Sequence, residues 1–309
     1  MSTHALSSGD LTADRRADYA RMLGEGGDPG AAAELMEQAL DLVPGWAAGW
    51  FRLGEYRQKA GLAGAADAYR RALECDAQDI FGAGLKLALL GEAEIPSQPS
   101  SRYVERLFDD YADRFETALV ERLDYVVPQA LAAMIAATGR QFRLGVDLGC
   151  GTGLLGPEIR DRVTRLEGFD LSRNMLAKAA EKQVYDHLAQ ADLSLAPEGS
   201  GLFEGAAMHR ADLITAADVL MYLGDLENAF VLIAALAAPD AILAFSVEDS
   251  GEPDSFVLRD SMRYAHGEAY VAALCAIHGF TVAATQKTAI RKDGGKAIMG
   301  ILFVAARTT

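Results

Sequence analysis

The sequence predicts an α/β protein with a mostly parallel sheet, preceded by an all-α region. Three observations lead to this prediction. From Phe142 onward, short apolar runs alternate with helical stretches, which is typical of a parallel sheet covered on both faces. The first ninety residues instead carry an internal helical repeat, and a run of prolines and serines separates the two regions.

Length, composition and charge restrict the class of protein. The 309 residues are enough for about two domains. Half of them are hydrophobic and 24% are charged, as in a folded globular protein rather than a disordered chain. The 29 basic and 44 acidic side chains give a net charge of −15. Such a chain repels phosphate backbones and shows no basic patch, so we expect no nucleic-acid partner.

The apolar stretches and the cysteines indicate the cellular compartment. The longest apolar runs are well short of the ~20 residues that cross a bilayer, and residues 1–10 lack the basic and apolar segments of a secretory signal. We therefore expect a cytoplasmic protein with no membrane partner. Cys75, Cys150 and Cys275 are far apart and form no Cys-x-x-Cys pair, which predicts reduced thiols and no metal site.

An internal repeat with a shift of 33 residues marks residues 16–91, after a predicted flexible N-terminus of residues 1–15. Its spacing places small residues where two antiparallel helices touch, and it resembles the tetratricopeptide helix-turn-helix unit. The resemblance implies about two such repeats, and the alternative is an ordinary bundle of alanine-rich helices. The first copy, Ala32, Met36, Ala39, Leu40 and Pro44, recurs as Ala65, Tyr69, Ala72, Leu73 and Ala77.

Residues 92–140 are predicted to form a linker and lid helices. The run Ile-Pro-Ser-Gln-Pro-Ser-Ser at 95–101 cannot continue a helix. The apolar residues of 103–116 then follow at three- and four-residue steps, as in an amphipathic helix with an aromatic face. A further helical stretch at 119–137 is expected to break near Pro128.

Two extended runs at the end of the sequence, residues 281–290 and 297–305, are joined by Lys292-Asp-Gly-Gly-Lys296, a hairpin signal. Arg291 and Lys292 are expected in a solvated turn. The five apolar runs before this hairpin are predicted to be parallel strands, at residues 144–148, 166–170, 189–193, 213–217 and 241–247.

Five parallel units that end in a hairpin resemble the class I methyltransferase sheet, whose added antiparallel strand distinguishes it from the dinucleotide-binding sheet. Residues 141–309 are therefore predicted to form a seven-stranded Rossmann-like sheet of this class with a C-terminal antiparallel hairpin. The preceding domain is predicted to be all-α and TPR-like.

A glycine-rich turn, Val146-Asp-Leu-Gly-Cys-Gly-Thr-Gly153, follows the first predicted strand and opens a helix. Glycines let the backbone approach a ligand closely, and a helix N-terminus offers free N–H groups to a carboxylate or phosphate. The segment resembles motif I of S-adenosylmethionine-dependent methyltransferases. That resemblance places the amino-acid end of the cofactor over the loop and implies contacts from Gly149, Cys150, Gly151 and Gly153.

A dinucleotide site is the rival interpretation, because Gly151-Thr-Gly-Leu-Leu-Gly156 also fits the G-x-G-x-x-G pattern, with Asp170 about 20 residues on. Asp147 argues against it, since an acid there would repel a pyrophosphate but faces the ammonium side of S-adenosylmethionine in the resemblance. Asp170 suits the ribose hydroxyls of either cofactor. Asp192, after the third strand, favours methyl transfer because it lies where the adenine amino group arrives.

Further cofactor contacts are predicted from a lid and from apolar residues at the strand ends. In similar methyltransferases the helix that carries Tyr111 and Phe115 closes over the cofactor, and the Tyr111 phenol can reach the ligand's carboxylate. Alternatively, this aromatic face packs on the repeats. Met175 is equally well interpreted as a core residue. The apolar residues predicted to line the cofactor are Leu171, Met175, Ala191, Leu193 and Ala217.

The acceptor is expected above the carboxyl ends of the fourth and fifth strands, beside the topological switch point. There Asp218 is predicted either to receive a substrate proton or hold an ammonium, or to cap a helix near Gly224. Tyr222 and Glu248 are predicted to bind the substrate, and Glu248 alternatively pairs with Arg263.

The segment Arg263-Tyr-Ala-His266 is predicted to precede a helix at 267–276 and to form a recognition cluster. Arg263 and Tyr264 would bind substrate, with Arg263 holding a carboxylate or phosphate through two hydrogen bonds. His266 would act as a base near pH 7. The alternative is a capped helix start with an ion-paired arginine.

Several segments, at 103–115, 170–178, 217–225, 245–248 and 263–266, together look like the bacterial family of predicted methyltransferases that carry tetratricopeptide repeats. The resemblance implies S-adenosylmethionine as cofactor, S-adenosylhomocysteine as product and no agreed substrate. We therefore predict methyl transfer by in-line displacement to a small molecule, at oxygen. In the alternative, the repeats bind a protein partner or a second copy, and the catalytic domain modifies that partner or only senses cofactor.

Overall fold

A computed structural model of the protein describes residues 6–112 and 124–308. The chain divides into two units, Met1–Tyr103 and Val104–Thr309. The division falls inside a helix, so the segment 92–140 that was predicted as linker and lid is shared between both units. Each unit has its own hydrophobic clusters.

Helices form the secondary structure of residues 6–103. The first begins at Leu11, earlier than the predicted start at Arg16, because Asp10 caps it by accepting hydrogen bonds from the N–H groups of Thr12 and Ala13. The helices are α1 (Leu11–Glu25), α2 (Pro29–Leu42), α3 (Ala47–Ala60), α4 (Ala65–Cys75), α5 (Ala83–Leu89) and α6 (Ser101–Tyr111), the last of which continues into the second unit.

The 33-residue repeat falls on α2 and α4. Met36 and Tyr69, which are equivalent in the repeat, are both buried. Gly54 of α3 lies against the Tyr69 ring so closely that a Cβ atom there would be 2.5 Å from Cε1. Small residues therefore let large ones enter the helix contacts, as the spacing predicts.

A seven-stranded sheet in the order β3-β2-β1-β4-β5-β9-β8 forms the centre of the second unit. Strands β1 to β5 are parallel, and β9 pairs antiparallel with both β5 and β8, which confirms the predicted Rossmann-like sheet and its hairpin. The strands are β1 (Phe142–Leu148), β2 (Val163–Asp170), β3 (His187–Gln190), β4 (Ala211–Ala216), β5 (Ala237–Glu248), β8 (Phe280–Asp293) and β9 (Lys296–Arg307).

Within residues 124–308, a small hairpin and five α-helices accompany the sheet. The hairpin pairs β6 (Phe256–Leu258) with β7 (Tyr264–His266). Because the chain crosses from β3 to β4 on the other side of β1, the strand order reverses between β1 and β4, and the site predicted from the sequence lies at this switch point. The helices are α7 (Val127–Ala137), α8 (Gly156–Ile159), α9 (Arg173–Glu181), α10 (Glu227–Leu236) and α11 (Glu268–Ile277).

Helix α7 belongs to the core rather than to a lid. Its residues Val127, Leu131 and Ile135 are fully buried and pack with residues of the sheet. Pro128 lies in the first turn of α7, where a missing N–H costs nothing, so the proline begins this helix instead of breaking one.

The β8–β9 turn is formed by Gly294 and Gly295, whose φ values of 53° and 80° are those of a tight hairpin turn. Arg291 does not lie in a solvated turn, and that prediction is wrong: only 2% of the residue is exposed. A register shift between Ala289 and Arg291 places both Ile290 and Arg291 in buried positions.

Candidate active site

The glycine loop leaves β1 at the switch point of the sheet. Gly149, Gly151 and Gly153 all have left-handed backbones, with φ values of 62°, 55° and 83°. At Gly149 a Cβ atom would lie 2.2 Å from Cγ2 of Val219. The positive φ and the short distance to Val219 both require glycine at this position, so the sequence itself determines the backbone conformation of the loop.

Asp170 ends β2 and holds the glycine loop. Its Oδ2 atom accepts a hydrogen bond from the Gly151 N–H and its Oδ1 atom one from the Ser172 N–H, both at 2.8 Å. Burial raises the pKa of Asp170 to about 6, although these hydrogen bonds oppose the shift. A carboxylate has further lone pairs to accept from hydroxyl groups, so Asp170 fits its predicted place at a ribose.

Asp147 lies at the end of β1 and is 1% exposed. Its Oδ1 atom accepts a hydrogen bond from the Thr215 hydroxyl and its Oδ2 atom one from the Tyr185 hydroxyl, both at 2.7 Å. Burial raises the pKa of Asp147 to about 6, with a smaller contribution from Asp170. Neither donor was predicted, although a lone threonine in the apolar run of β4 is a signal that points to Thr215.

A cleft of about 610 Å³ opens at the ends of β2 and β3. Leu171, Ala191 and Asp192, three of the predicted cofactor contacts, are among the residues that line it. Asp192 is oriented by its own loop, since its Oδ1 atom accepts hydrogen bonds from the Ser194 N–H at 2.9 Å and the Ser194 hydroxyl at 2.6 Å.

Three of the predicted apolar contacts pack with core residues: Met175 and Leu193 are buried, and Ala217 is half-buried. Met175 is fully buried in the first turn of α9, where its N–H donates to the Ser172 hydroxyl, so its interpretation as a core residue is the one the structure supports. Leu193 belongs to one hydrophobic cluster of the second unit, and Ala217 packs against the other hydrophobic cluster of that unit. Cys150, in the loop itself, is buried, and burial raises the pKa of its thiol.

Helix α6 lies across the strand ends of the second unit. Asp109 accepts a hydrogen bond at 2.6 Å from the Ser172 hydroxyl, after β2, and Glu105 accepts one at 3.2 Å from the Gln190 amide, on β3. Tyr111, the predicted lid contact, ends this helix. Phe115 lies outside the described residues.

A buried charge cluster forms the acceptor side, and Arg291 is its centre. Arg291 Nη1 donates to both carboxylate oxygens of Asp218, at 2.6 and 2.7 Å, and Nη2 donates to Glu248. Burial raises the pKa of Asp218, whereas Arg291 lowers it. Burial lowers the pKa of Arg291, but the two carboxylates outweigh it and raise that pKa above its usual value.

This cluster changes the interpretation of Asp218. The helix after β4 begins at Glu227 rather than near Gly224, so Asp218 is not its cap. Asp218 has a left-handed backbone, with φ of 55°, and its N–H donates to the Ser246 hydroxyl at 2.9 Å. The buried position of Arg291 was not predicted, because an extended run of residues carries no sequence signal for a β-bulge.

Arg263 lies beside the cluster with its side chain 20% exposed. Its Nη2 atom donates to Asp293 on the β8–β9 hairpin, and its Nε atom is 3.6 Å from Glu248 Oε1. Burial raises the pKa of Tyr222, and a hydrogen bond with Arg263 lowers it. The structure therefore brings together Asp218, Tyr222, Glu248 and Arg263, as predicted.

His266 and Tyr264 do not join this group, because β7 carries both into the core. Each is fully buried. His266 Nε2 lies 3.0 Å from the Leu223 carbonyl oxygen and 2.9 Å from that of Gly224, so it is the protonated nitrogen and donates to both. Burial lowers the pKa of His266 to about 4. The prediction that His266 is a base near pH 7 is therefore wrong.

Residues 6–112 and 124–308 contain no candidate metal-binding group and no candidate membrane-spanning helix. No group of three or more His, Cys, Asp or Glu residues in these ranges is arranged to hold a metal ion. No helix in them is both long and apolar enough to cross a bilayer.

Comparison with known proteins adds a family match. Residues 103–281, more than half of the chain, match the family model described as a methyltransferase domain. The chain is 30% identical over 115 residues to the malonyl-[acyl-carrier protein] O-methyltransferase of Salmonella typhimurium, covering 37% of this chain and 43% of that protein. The Serratia marcescens protein of the same name is 28% identical over 128 residues, 41% of this chain and 46% of that one. The chain thus spans less than half the length of these curated relatives.

Solved structures share the fold at low sequence identity. The 1,6-didemethyltoxoflavin-N1-methyltransferase of Burkholderia thailandensis, with S-adenosylhomocysteine bound, superposes with a TM-score of 0.52 at 19% identity, over 70% of this chain and 94% of that one. The N-methyltransferase NodS of Bradyrhizobium japonicum, also with S-adenosylhomocysteine, gives 0.50 at 16% identity, over 68% and 98%.

Proposed function

The chain belongs to the methyltransferase domain family, whose reaction is methyl transfer from S-adenosylmethionine, and we propose that this protein moves the methyl group to a carboxylate oxygen of a small molecule. The predictions of an enzyme and of this cofactor are confirmed by the family match. The acceptor is the new part of the proposal. It rests on one observation: of the two predicted bases, Asp218 is paired with Arg291 and His266 is buried in the core.

The cofactor end of the site fits S-adenosylmethionine. Asp147 offers a carboxylate to an ammonium group, Asp170 to ribose hydroxyls and Asp192 to an adenine amino group, and these three acids surround one glycine loop. When bound, the cofactor supplies a methyl group from its sulfonium and leaves as S-adenosylhomocysteine. The chain's own task is to hold the acceptor oxygen in line with that methyl group.

The acceptor end favours a nucleophile that needs no base. His266 is buried and neutral, and Asp218 and Glu248 are both held by Arg291. A hydroxyl acceptor would need a proton acceptor within hydrogen-bond distance. A carboxylic acid, with a usual pKa of about 4, is already ionised at neutral pH. In its reaction one O–C bond forms as the S–C bond breaks, and no proton is released.

Arg263 and Tyr222 are the residues that we expect to hold such an acceptor. A guanidinium group binds a carboxylate through two parallel N–H donors, and a phenol adds a third donor. The hydrogen bond between Tyr222 and Arg263 keeps both donors together at the end of β4. The curated relatives support oxygen as the acceptor atom, since their names describe O-methyltransferases.

The first experiment separates cofactor binding from acceptor choice. Calorimetric titration with S-adenosylmethionine, S-adenosylhomocysteine and NADH should show binding of the two sulfur compounds only, and Asp170→Ala should abolish it. A preference for NADH would overturn the cofactor assignment and the glycine-loop interpretation with it.

The second experiment tests the acceptor. The malonyl thioester of N-acetylcysteamine and a panel of short dicarboxylic acids are the probes, with their methyl esters, matched alcohols and matched amines as comparisons. Mass spectrometry should find new methyl esters and no ethers or N-methyl products. Arg263→Lys keeps the charge but loses the two-donor geometry, so the KM for acids should rise while cofactor affinity stays the same. Products methylated at nitrogen or sulfur would contradict the proposal.

We further propose that residues 16–91 form a pair of TPR-like repeats. Support comes from the burial of equivalent residues on α2 and α4 and from the short turns that join successive helices. The two tryptophans of this region pack against its own residues: Trp46 is buried, and the Trp50 indole N–H donates to the Pro44 carbonyl at 2.7 Å. This arrangement favours a small-molecule enzyme over a peptide-binding module, and a docking or self-association role of the repeats is an additional proposal.

A further inference from the structure

Tyr185 lies between α9 and β3, at a place that the mechanism proposed above does not use. Its hydroxyl donates to Oδ2 of Asp147, and the Thr215 hydroxyl donates to Oδ1 of the same group, both at 2.7 Å. Each carboxylate oxygen therefore carries one hydrogen bond, and the plane of the carboxylate is fixed.

The ring of Tyr185 explains three glycines that lie in different elements. Cβ atoms added at Gly153 of the loop, Gly156 at the start of α8 and Gly168 of β2 would each lie 2.9 Å from an atom of Tyr185. Real Cβ atoms do not approach a neighbouring atom so closely. Two of the three glycines that fit the dinucleotide pattern, Gly153 and Gly156, thus provide space in which this one ring packs.

We propose that Tyr185 is a positioning residue for the amino-acid end of the cofactor, acting through Asp147 and through the glycine loop. The proposal rests on the proposed function, since it presupposes that S-adenosylmethionine binds at this loop. In this proposal the hydroxyl orients Asp147 and the ring supports the glycine loop. A substitution that removes only the hydroxyl therefore tests the first role separately from the second.

The charges around Asp147 determine the expected pH dependence. Asp170 on β2 opposes its ionisation, and Cys150 in the loop and Tyr125 before α7 are the other titratable groups in electrostatic contact with it. Burial raises the pKa of Asp147 to about 6, and the hydrogen bonds from Thr215 and Tyr185 lower it. Without the Tyr185 hydroxyl this pKa rises further, so the carboxylate loses its charge at a higher pH and attracts an ammonium group less at neutral pH.

The test compares two ligands that differ only at the end in question. S-adenosylhomocysteine carries the amino-acid group, and 5′-methylthioadenosine lacks it. In Tyr185→Phe we expect the pH midpoint of binding to move up by about one unit, since a hydrogen bond to a charged group has about this weight. From a pKa of about 6, the Kd for S-adenosylhomocysteine should then rise about twofold at pH 7 and approach a tenfold rise near pH 5, where the two ligands are compared. The Kd for 5′-methylthioadenosine should stay within about twofold, because the ring remains in place.

Three variants serve as controls. Thr215→Val removes the other hydrogen bond to Asp147 and should shift the midpoint in the same direction. Asp147→Asn should remove the pH dependence of S-adenosylhomocysteine binding between pH 5 and 8, a range that brackets the raised pKa of Asp147, about 6. Tyr270→Phe removes the hydroxyl of a half-buried tyrosine that donates to Asp225 at 3.0 Å, away from the loop, and should leave both ligands unaffected.

The possible failures are distinguishable. If the unaltered protein binds neither ligand, the proposed cofactor is wrong. If it binds both and Tyr185→Phe leaves affinity and midpoint unchanged, or weakens both ligands equally, the positioning role is wrong. Should Tyr185→Phe not fold, 3-fluorotyrosine at position 185, a stronger donor of similar size, should move the midpoint down, and an unchanged midpoint would again overturn the proposal.

Discussion

Arg291 donates two hydrogen bonds from a single nitrogen, Nη1, to the two carboxylate oxygens of Asp218, at 2.6 and 2.7 Å. The arginine is on the antiparallel strand β8, and the aspartate follows the parallel strand β4. The pair therefore joins two parts of the sheet that do not pair directly with each other. With Glu248 as its second partner, Arg291 neutralises the acids that a hydroxyl acceptor would need as bases.

Replacing Arg291 by methionine should lower the free energy of unfolding by about 3 to 5 kcal/mol, because it leaves the buried Asp218 without its counter-ion and Glu248 with the more distant Arg263. Denaturant unfolding measures this difference. The neighbouring Lys292, with half of its side chain exposed, provides the control, and Lys292→Met should change stability by less than about 0.5 kcal/mol. Equal effects of the two variants would show that the Arg291 cluster has no special role in stability.

Asp293 should compete with an acidic acceptor for Arg263, because its own carboxylate already accepts a hydrogen bond from the guanidinium group. In Asp293→Asn we expect the KM for carboxylate acceptors to fall by about fivefold, since an exposed ion pair has a weight of up to about 1 kcal/mol. Steady-state kinetics at saturating S-adenosylmethionine measure the change. Asp240→Asn, which breaks an exposed ion pair with Arg140, should leave KM unchanged. A higher KM in Asp293→Asn would mean that Asp293 orients Arg263 instead of blocking it.

His266 should make the protein less stable in acid. Its pKa is about 4 in the folded state and about 6.5 when unfolded, so the unfolded chain binds more protons between these values. Its contribution to stability is complete above pH 6.5 and is lost as the pH falls toward 4, by roughly 2 to 3 kcal/mol at pH 4.5. Asp147 and Asp170, with raised pKa values of about 6, act in the opposite direction over the same range.

A comparison with His266→Gln isolates this contribution, because the amide can still donate to the carbonyl groups but does not titrate. Unfolding measured from pH 4.5 to 7.5 should show a smaller acid loss in the variant. The kcat profile of the unaltered enzyme should show no step with the pKa of an ordinary histidine. Parallel stability curves for the two proteins would contradict the assigned burial.

Gly149→Ala should abolish binding of S-adenosylhomocysteine, because its Cβ atom would collide with Val219 as well as strain the backbone. Gly139→Ala is the matched control: it has a similar φ of 68° but open space around the added atom. We expect the control to cost about 1 to 2 kcal/mol of stability and no affinity. Calorimetry and thermal unfolding measure both. The Cβ atom of Val219 would itself lie 2.5 Å from the added atom, so only a residue without a Cβ atom relieves the collision. If Val219→Gly restores binding to Gly149→Ala, the collision rather than the backbone angle is the cause.

The strands could be predicted from the sequence because buried parallel strands are continuous apolar runs. The predicted ends are less accurate: β5 begins at Ala237, before the exposed Pro239 and Asp240, which interrupt the apolar run that signals the strand. The three acids of the cofactor site were predictable for a related reason. In a parallel sheet, residues that directly follow successive strands meet at one edge.

The acceptor side was predicted only in part, because its key contacts depend on local geometry that periodicity does not encode. A bulge turns Arg291 inward, and an unpredicted hairpin carries His266 into the core. Tyr185 is one residue in a connection without a motif, and its glycine neighbours are visible in the sequence without showing which ring they accommodate. Side chains that act through distant partners thus required the three-dimensional structure.

The place of β9 between β5 and β8 has a consequence for synthesis on the ribosome. Strand β8 emerges first, yet it can join the sheet only after β9 has emerged and paired with β5. Until then β5 is an open edge, which is a template for pairing with other nascent chains. Arg291 arrives with β8, so Asp218 and Glu248 wait for their counter-ion through the same interval. The open edge of β5 is therefore covered, and the Arg291 cluster can form, only after β9 has been translated.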